Sequence, residues 1–153
     1  MRALRIAALA ILAASLLLNA VIHFRLAAAF DGVPGTIASQ GDLFRVQAAL
    51  NILVIPVVAF ARRIWADAAA IAIALGGAAL IVTTALVPLD LTWVGLPYLF
   101  EPAYYPDKTT ALLAQLVAAV AGGALLVLRR RSAGAPSRAV GARGAAPTAD
   151  GSA

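Results

Sequence analysis

The stretch LFRVQAALNILVIPVVAFARRIWADAAAIAIALGGAALIVTTALV, residues 43–87, decides the fold, because two apolar runs flank the pair Arg62-Arg63. A helix needs about 20 mostly apolar residues to cross the hydrocarbon core of a bilayer. The runs 43–61 and 64–87 both meet this requirement. Because only two residues separate them, the stretch predicts two membrane-spanning helices joined by a tight arginine turn.

Two further segments of similar character, about 6–22 and 109–128, predict a first and a fourth span. The chain is 63% hydrophobic and only 12% charged, whereas soluble domains carry roughly a quarter charged residues. We therefore expect an all-α, four-transmembrane-helix bundle over residues 1–131. Residues 132–153 are small and lack apolar periodicity, which predicts a disordered cytoplasmic tail.

The positions of the basic residues predict the orientation, because cytoplasmic segments carry an excess of Lys and Arg. Nine of the twelve basic residues fall on one side of a four-span chain: Arg2, Arg5, Arg62, Arg63, Arg129, Arg130, Arg131, Arg138 and Arg143. The other side has Arg25, Arg45 and Lys108. We expect a multi-pass protein of a bacterial plasma membrane with both termini cytoplasmic and the connections 23–42 and 88–108 outside.

The first span also has features of a secretory signal peptide, namely Arg2 and Arg5, an apolar run and the small residues 27–29. Its run of about 17 residues is longer than the usual apolar region of roughly 7–15. We favour a retained helix, and a cleaved leader is the alternative.

Polar side chains of the spans gather in their outer halves. They are Asn19, His23, Gln47, Asn51 and Gln115. Intramembrane polar groups tend to face a water-filled cavity or one another. One interpretation is an outward-facing polar pocket, and the other is an amide network that fixes helix register. We favour the second.

The second outer connection carries Trp93, Tyr98, Tyr104 and Tyr105. Trp and Tyr concentrate at the headgroup level of membranes, so an aromatic belt is the default interpretation. The alternative is a contact surface for a partner, or a lid over the polar pocket.

Small residues allow close approach of helices in lipid. The sequence offers two stripes for a contact between the third and fourth spans: Ala68, Ala72 and Gly76, and Ala114, Ala118 and Gly122. Pro56 interrupts the second span, where the missing backbone N–H predicts a kink.

Several classes of function are excluded or lack a motif. The chain has no cysteine and one histidine, so a thiolate metal site, a disulfide framework and a cysteine nucleophile are excluded. We predict no catalytic, cofactor or metal site. A nucleic-acid partner is not expected either, because the basic residues lie mostly at span ends without aromatic interleaving.

The segment 23–51, HFRLAAAFDGVPGTIASQGDLFRVQAALN, resembles small four-helix integral membrane proteins of actinobacteria. The matching features are His23 at the end of the first span and Leu43, Phe44 and Gln47 at the start of the second. The run EPAYYPDK at 101–108 is similar to their second outer loop, whereas Pro34 departs from their turn pattern. There is also a likeness in architecture to DoxX-like proteins. The resemblance implies a four-helix membrane fold and no particular activity.

The leading functional hypothesis is an accessory or scaffolding subunit, with the lipid bilayer and another membrane protein or a second copy as partners. A small-molecule or lipid carrier using the outer polar pocket is the first alternative. A quinone-linked redox protein of DoxX-like type is the second.

Overall fold

The protein is an all-α bundle of four long helices, in the computed structural model that describes residues 2–133. The helices are α1 (Arg2–Phe30), α2 (Gln40–Pro56), α3 (Ile64–Leu86) and α4 (Pro106–Ala133). Each of the four is long and apolar enough to cross a membrane. The predicted four-transmembrane-helix fold is therefore confirmed. The expectation of a disordered tail falls on residues that, beyond Ala133, lie outside the described part of the chain.

The helices extend beyond the apolar runs that predict them. α1 has 29 residues, which at 1.5 Å per residue is about 43 Å and exceeds the roughly 30 Å hydrocarbon core. Hydropathy marks only the part of a helix that lies in hydrocarbon, so it misses the ends. His23 and Arg25 consequently lie within α1 rather than in the first loop, which shrinks to residues 31–39.

Both ends of α2 have clear local causes. Ser39 caps its start, because the Ser39 hydroxyl accepts from the Asp42 N–H while the Asp42 carboxylate accepts from the Ser39 N–H. This reciprocal arrangement satisfies two unpaired donors of the first turn. After Pro56 the helix continues as a π-helical turn, Val57–Ala61. Proline supplies no N–H to the preceding turn, and a π turn is one way in which a helix absorbs such a break.

The order of packing leaves one side of the bundle open. α1 packs against α2 and α4, and α3 packs against α4, whereas α2 and α3 contact each other much less than these pairs do. We call the end with residues 31–39 and 87–105 the loop end, and the end with the α2–α3 turn the arginine end. A two-residue turn joins α2 to α3 at the arginine end, and Arg62 there adopts a left-handed φ of 50°.

Aliphatic side chains fill the bundle between its middle and the arginine end. The core cluster is Ala8, Leu12, Leu16, Val54, Val58, Ala66, Ala70, Ala74, Ala118, Ala121 and Leu125. Many large apolar side chains point outward instead, for example Phe60 at 83% exposure and Val120 at 75%. Outward apolar surface of this extent is expected of helices that contact lipid acyl chains.

The close contact between α3 and α4 is confirmed, but the predicted face of α3 is wrong. Ala114, Ala118 and Gly122 of α4 are buried, whereas Ala68, Ala72 and Gly76 of α3 are exposed. The residues of α3 that pack inside are Ala66, Ala70 and Ala74. An alanine-rich helix carries small residues on every face, so four-residue spacing does not select one.

An ion pair joins α3 to α4 near the arginine end. The Arg129 guanidinium donates to both Asp67 oxygens, at 2.5 Å and 2.9 Å. Asp67 is fully buried, and the Arg129 side chain is 13% exposed. The two side chains pair with each other in the bidentate geometry that suits guanidinium and carboxylate groups.

The two loops contact each other across the loop end. The second contains a short hairpin, β1 (Leu89–Asp90) with antiparallel β2 (Tyr98–Leu99). The Ile37 N–H donates to the Gly95 carbonyl at 2.8 Å. Gly95 has a φ of 80°, and a Cβ there would meet the Ile37 side chain. The first loop is also tied to α2, because Arg45 donates to Asp31 at 2.7 Å.

Candidate functional site

Four of the five predicted polar residues form one hydrogen-bonded network. The Asn51 amide donates to Asn19 Oδ1 at 2.6 Å, and the Gln115 amide donates to the same oxygen at 3.3 Å. The Asn19 amide donates to the Ala111 carbonyl of α4 at 2.9 Å. Gln47 donates to Asn51 Oδ1 at 3.3 Å. Asn19 is therefore the centre of a network that connects α1, α2 and α4.

Gly77 provides the space that the network needs on the side of α3. A Cβ at Gly77 would collide with the Gln115 amide and would lie 2.9 Å from the Gln47 nitrogen. Gly77 is the closest approach of α3 to the amides, and its own side contributes no hydrogen-bonding group. A larger residue would displace both glutamines.

A cavity of about 240 Å³ lies beside this network at the loop end. Its walls come from α2 and α3, its inner side from α1 and α4, and its cover from the second loop. The lining residues are His23, Leu26, Gln40, Leu43, Phe44, Val46, Gln47, Gly77, Leu80, Ile81, Thr84, Leu99, Glu101, Tyr105, Lys108 and Ala111. Mostly apolar walls with a few polar groups are typical of small-molecule sites.

Of the predicted pocket residues, His23 and Gln47 line the cavity, whereas Asn19, Asn51 and Gln115 are fully buried behind it. The two interpretations of the polar residues are therefore both partly realised. The amides pair with each other, as the register interpretation expects, and a cavity lies next to the pairs.

The hydrogen bond of His23 determines which ring nitrogen can accept. His23 Nδ1 lies 2.9 Å from the Asn19 backbone carbonyl. A carbonyl oxygen can only accept, so Nδ1 carries the proton in this contact. In the neutral ring Nε2 is then an acceptor. The Phe44 ring packs edge-on against His23, with centroids 5.3 Å apart, and this contact holds the imidazole against the cavity wall.

A lysine and a glutamate from the second loop and the start of α4 also line the cavity. Lys108 Nζ donates to the Glu101 backbone carbonyl and lies 3.7 Å from its carboxylate. Lys108 is only 4% exposed and lies 5.1 Å from the centre of the Tyr104 ring. The Glu101 N–H donates to the Thr84 carbonyl at 2.9 Å, which ties the loop to α3.

Sequence reasoning missed Lys108 as a site residue. It treated Lys108 only as one basic residue on the outer side. One signal was present, because Lys108 is the single lysine in a chain with eleven arginines. The one lysine of an arginine-rich chain, next to the start of a predicted span, could have been singled out as a candidate site residue.

The four aromatic residues of the predicted contact surface separate into two groups. Trp93, Tyr98 and Tyr104 are exposed, at 82%, 49% and 51%. Tyr105 turns inward and lines the cavity. Burial, followed by the negative charge of Glu101, raises the pKa of the Tyr105 phenol above its usual range. Tyr105 therefore remains a neutral hydrogen-bonding group next to the cavity.

Within residues 2–133 no group of three or more His, Cys, Asp or Glu side chains is placed to hold a metal ion. The strongest chemical feature of the described region is the cavity with its few polar lining residues.

No family model, curated protein or solved structure matches the chain.

Proposed function

We propose that this protein binds a small, neutral, amphipathic molecule in the cavity between α2 and α3. The observation that supports the proposal is the cavity of about 240 Å³, whose mostly apolar lining includes the polar side chains of His23, Gln47 and Lys108. Apolar walls suit a hydrocarbon chain or ring, and the few polar groups suit a head that forms hydrogen bonds.

The charges around the cavity favour a neutral head over an ionic one. Lys108 and Glu101 pair with each other, so neither leaves an uncompensated charge for a ligand to neutralise. Bringing an ionic head into an apolar cavity without a counter-charge is costly. His23 offers an acceptor through Nε2 in its neutral form, and Gln47 has amide groups at the wall. A hydroxyl group, which both donates and accepts, fits these partners.

The route into the cavity lies between α2 and α3. Val46 of α2 is 55% exposed and Leu80 of α3 is 45% exposed, and both line the cavity. These apolar rim residues face outward from the bundle, where lipid surrounds a membrane protein. Entry from the bilayer is therefore the proposed path, and it suits a ligand that partitions into lipid.

We place the protein in a bacterial plasma membrane with the loop end outside. The support is the concentration of arginines at the other end, including Arg62 and Arg63, which the positive-inside rule assigns to the cytoplasm. We also propose that α1 is retained. Leu12 and Leu16 of α1 are fully buried in the core, and Asn19 is the centre of the amide network, so cleavage would remove both.

The experiment compares probes with one chain length and different heads. A monoacylglycerol, the matching fatty acid and the matching alkylamine are titrated into the purified protein in a mild detergent, and binding is measured by native mass spectrometry. We expect the monoacylglycerol to bind and the two ionic probes to bind at least tenfold more weakly. Equal binding of all three would contradict the neutral ligand class.

Cavity-filling variants localise the binding. Ala111→Phe and Leu43→Trp add side-chain volume from two walls of the cavity. Ala72→Phe is the control, because Ala72 is exposed on α3 and lies outside the cavity lining. The two filling variants are expected to lose the probe, and the control is expected to keep it. Binding that survives both filling variants would place the ligand elsewhere.

An accessory role, the leading hypothesis from the sequence, is our second candidate, because Trp93, Tyr98 and Tyr104 of the second loop are all exposed. Such residues are common at interfaces and at the headgroup level. Triple replacement of these aromatics by serine, followed by affinity purification from native membranes, tests it. Loss of a specific co-purifying protein is the expected result, and an unchanged set of partners would leave only a lipid-anchoring role.

A further inference from the structure

A second groove lies at the arginine end, on the opposite side of the core from the ligand cavity. It has a volume of about 630 Å³ and lies between α1, the end of α2 and α4. The lining residues are Arg2, Arg5, Ile6, Leu9, Val58, Ala59, Arg62, Leu125, Arg129 and Ser132.

The groove collects four arginines from three separate elements of the fold. Arg2 and Arg5 come from α1, Arg62 from the α2–α3 turn and Arg129 from α4. The Asp67 carboxylate neutralises the charge of Arg129 in their ion pair. Within residues 2–133 no carboxylate lies in ion-pair contact with the other three. Among the described residues, the groove therefore carries three positive charges that no carboxylate contacts.

Apart from Ser132, the rest of the lining is apolar. It includes Ile6 and Leu9 of α1, Val58 of the π-helical turn after α2 and Leu125 of α4. Val58 and Leu125 belong to the core cluster itself. A free inorganic ion would use only the charged part of such a groove, whereas a molecule with an anionic head and a hydrocarbon chain would use both parts.

We propose that this groove is a binding site for an anionic glycerophospholipid. The phosphate lies among Arg2, Arg5 and Arg62, and the upper part of an acyl chain lies against Ile6 and Val58. Guanidinium groups match phosphate through two parallel hydrogen bonds, which gives the site geometry as well as charge. Basic pockets between transmembrane helices on the cytoplasmic side are suited to anionic headgroups. This site is independent of the ligand cavity.

The test compares two double variants of equal net charge. Arg5→Gln with Arg62→Gln removes two groove arginines. Arg63→Gln with Arg130→Gln removes two exposed arginines of the same end that lie outside the groove lining. Each protein is titrated with phosphatidylglycerol in phosphatidylcholine micelles, and bound lipid is counted by native mass spectrometry. Thermal melts in phosphatidylcholine alone show whether each variant is folded.

The groove variant is expected to bind phosphatidylglycerol about 30-fold more weakly, at about 1 kcal/mol for each lost arginine. The control variant is expected to bind within about threefold of the original protein. Equal weakening in both variants would reduce the effect to general surface charge and overturn the site. Displacement of the lipid by millimolar inorganic phosphate would overturn the lipid assignment. If the groove variant melts early, single Arg5→Gln and Arg5→Lys variants are compared, and equal binding by these two also contradicts the proposal.

Discussion

Replacement of Asn19 by leucine tests whether the amide network stabilises the bundle. Leucine has the same number and branching of side-chain heavy atoms as asparagine, so the change removes the polar contacts and keeps the branched shape of the side chain. The Asn19 side chain makes three hydrogen bonds, to Ala111, Asn51 and Gln115. Hydrogen bonds between helices in membrane proteins contribute about 0.6 kcal/mol on average. We expect Asn19→Leu to lower the free energy of unfolding by about 1.8 kcal/mol.

A double-mutant cycle gives a sharper expectation. The Asn51 side chain makes two bonds, one to Asn19 and one from Gln47, so Asn51→Leu is expected to cost about 1.2 kcal/mol. The double variant loses four bonds rather than five, because the Asn51–Asn19 bond is shared. Its expected cost is about 2.4 kcal/mol, which leaves a coupling energy of about 0.6 kcal/mol.

The assay is reversible unfolding in mixed micelles by titration with sodium dodecyl sulfate, followed by circular dichroism. Thr110→Val is the control, because the Thr110 hydroxyl bonds only to the Pro106 carbonyl within α4. The control is expected to leave the unfolding free energy within about 0.5 kcal/mol of the original. An Asn19→Leu protein as stable as the original, or strict additivity in the cycle, would refute the network as a source of stability.

The same titration tests three other features. Gly77→Ala should lower the free energy of unfolding by about 1–3 kcal/mol, because the added Cβ collides with the amides. Gly76→Ala, whose Cβ faces open space, should raise it by about 0.5–1 kcal/mol. Equal effects of the two changes would be evidence against the close approach of α3 to the amides. Asp67→Leu should lower the free energy of unfolding by about 3–5 kcal/mol, because it leaves Arg129 unpaired. Adding Arg129→Met should recover most of that loss. A double variant that is no more stable than Asp67→Leu alone would contradict the ion pair. Gly95→Ala should lower the free energy of unfolding by about 1–2 kcal/mol, because residues other than glycine are strained in the left-handed backbone conformation. It should also speed amide hydrogen exchange in residues 31–39. Unchanged exchange there would contradict the contact between the two loops.

The number and approximate position of the spans followed from hydropathy, because the bilayer imposes a length that the sequence must match. A contact between Gln47 and Asn51 was also predictable, since the two residues lie four positions apart on one helical face. The bonding partners were not predictable. They depend on the rotation of each helix about its axis, and four apolar helices carry little signal for that rotation. The wrong face assigned to Ala68, Ala72 and Gly76 has the same cause.

The cavity was predicted only as a possibility, because its existence depends on a distance between two helices and not on any one residue. Lys108 illustrates the limit. Its position near the start of the fourth span was known, but its burial under Glu101 requires the path of the second loop, which four prolines and a short hairpin determine. The exposed Trp93 and the inward Tyr105 belong to one aromatic-rich loop, and only the folded path separates their surroundings.

At the loop end the amide bonds connect α1, α2 and α4, and α3 contributes to the network only the absence of a side chain at Gly77. At the arginine end, by contrast, α3 is held by the two-residue turn and by the Asp67–Arg129 pair. The gap between α2 and α3 can therefore widen at the loop end without breaking an amide bond. Under the proposed function, a ligand that enters between Val46 and Leu80 would displace lipid contacts and leave the amide network intact, so binding would not require a loss of the hydrogen bonds that join α1, α2 and α4.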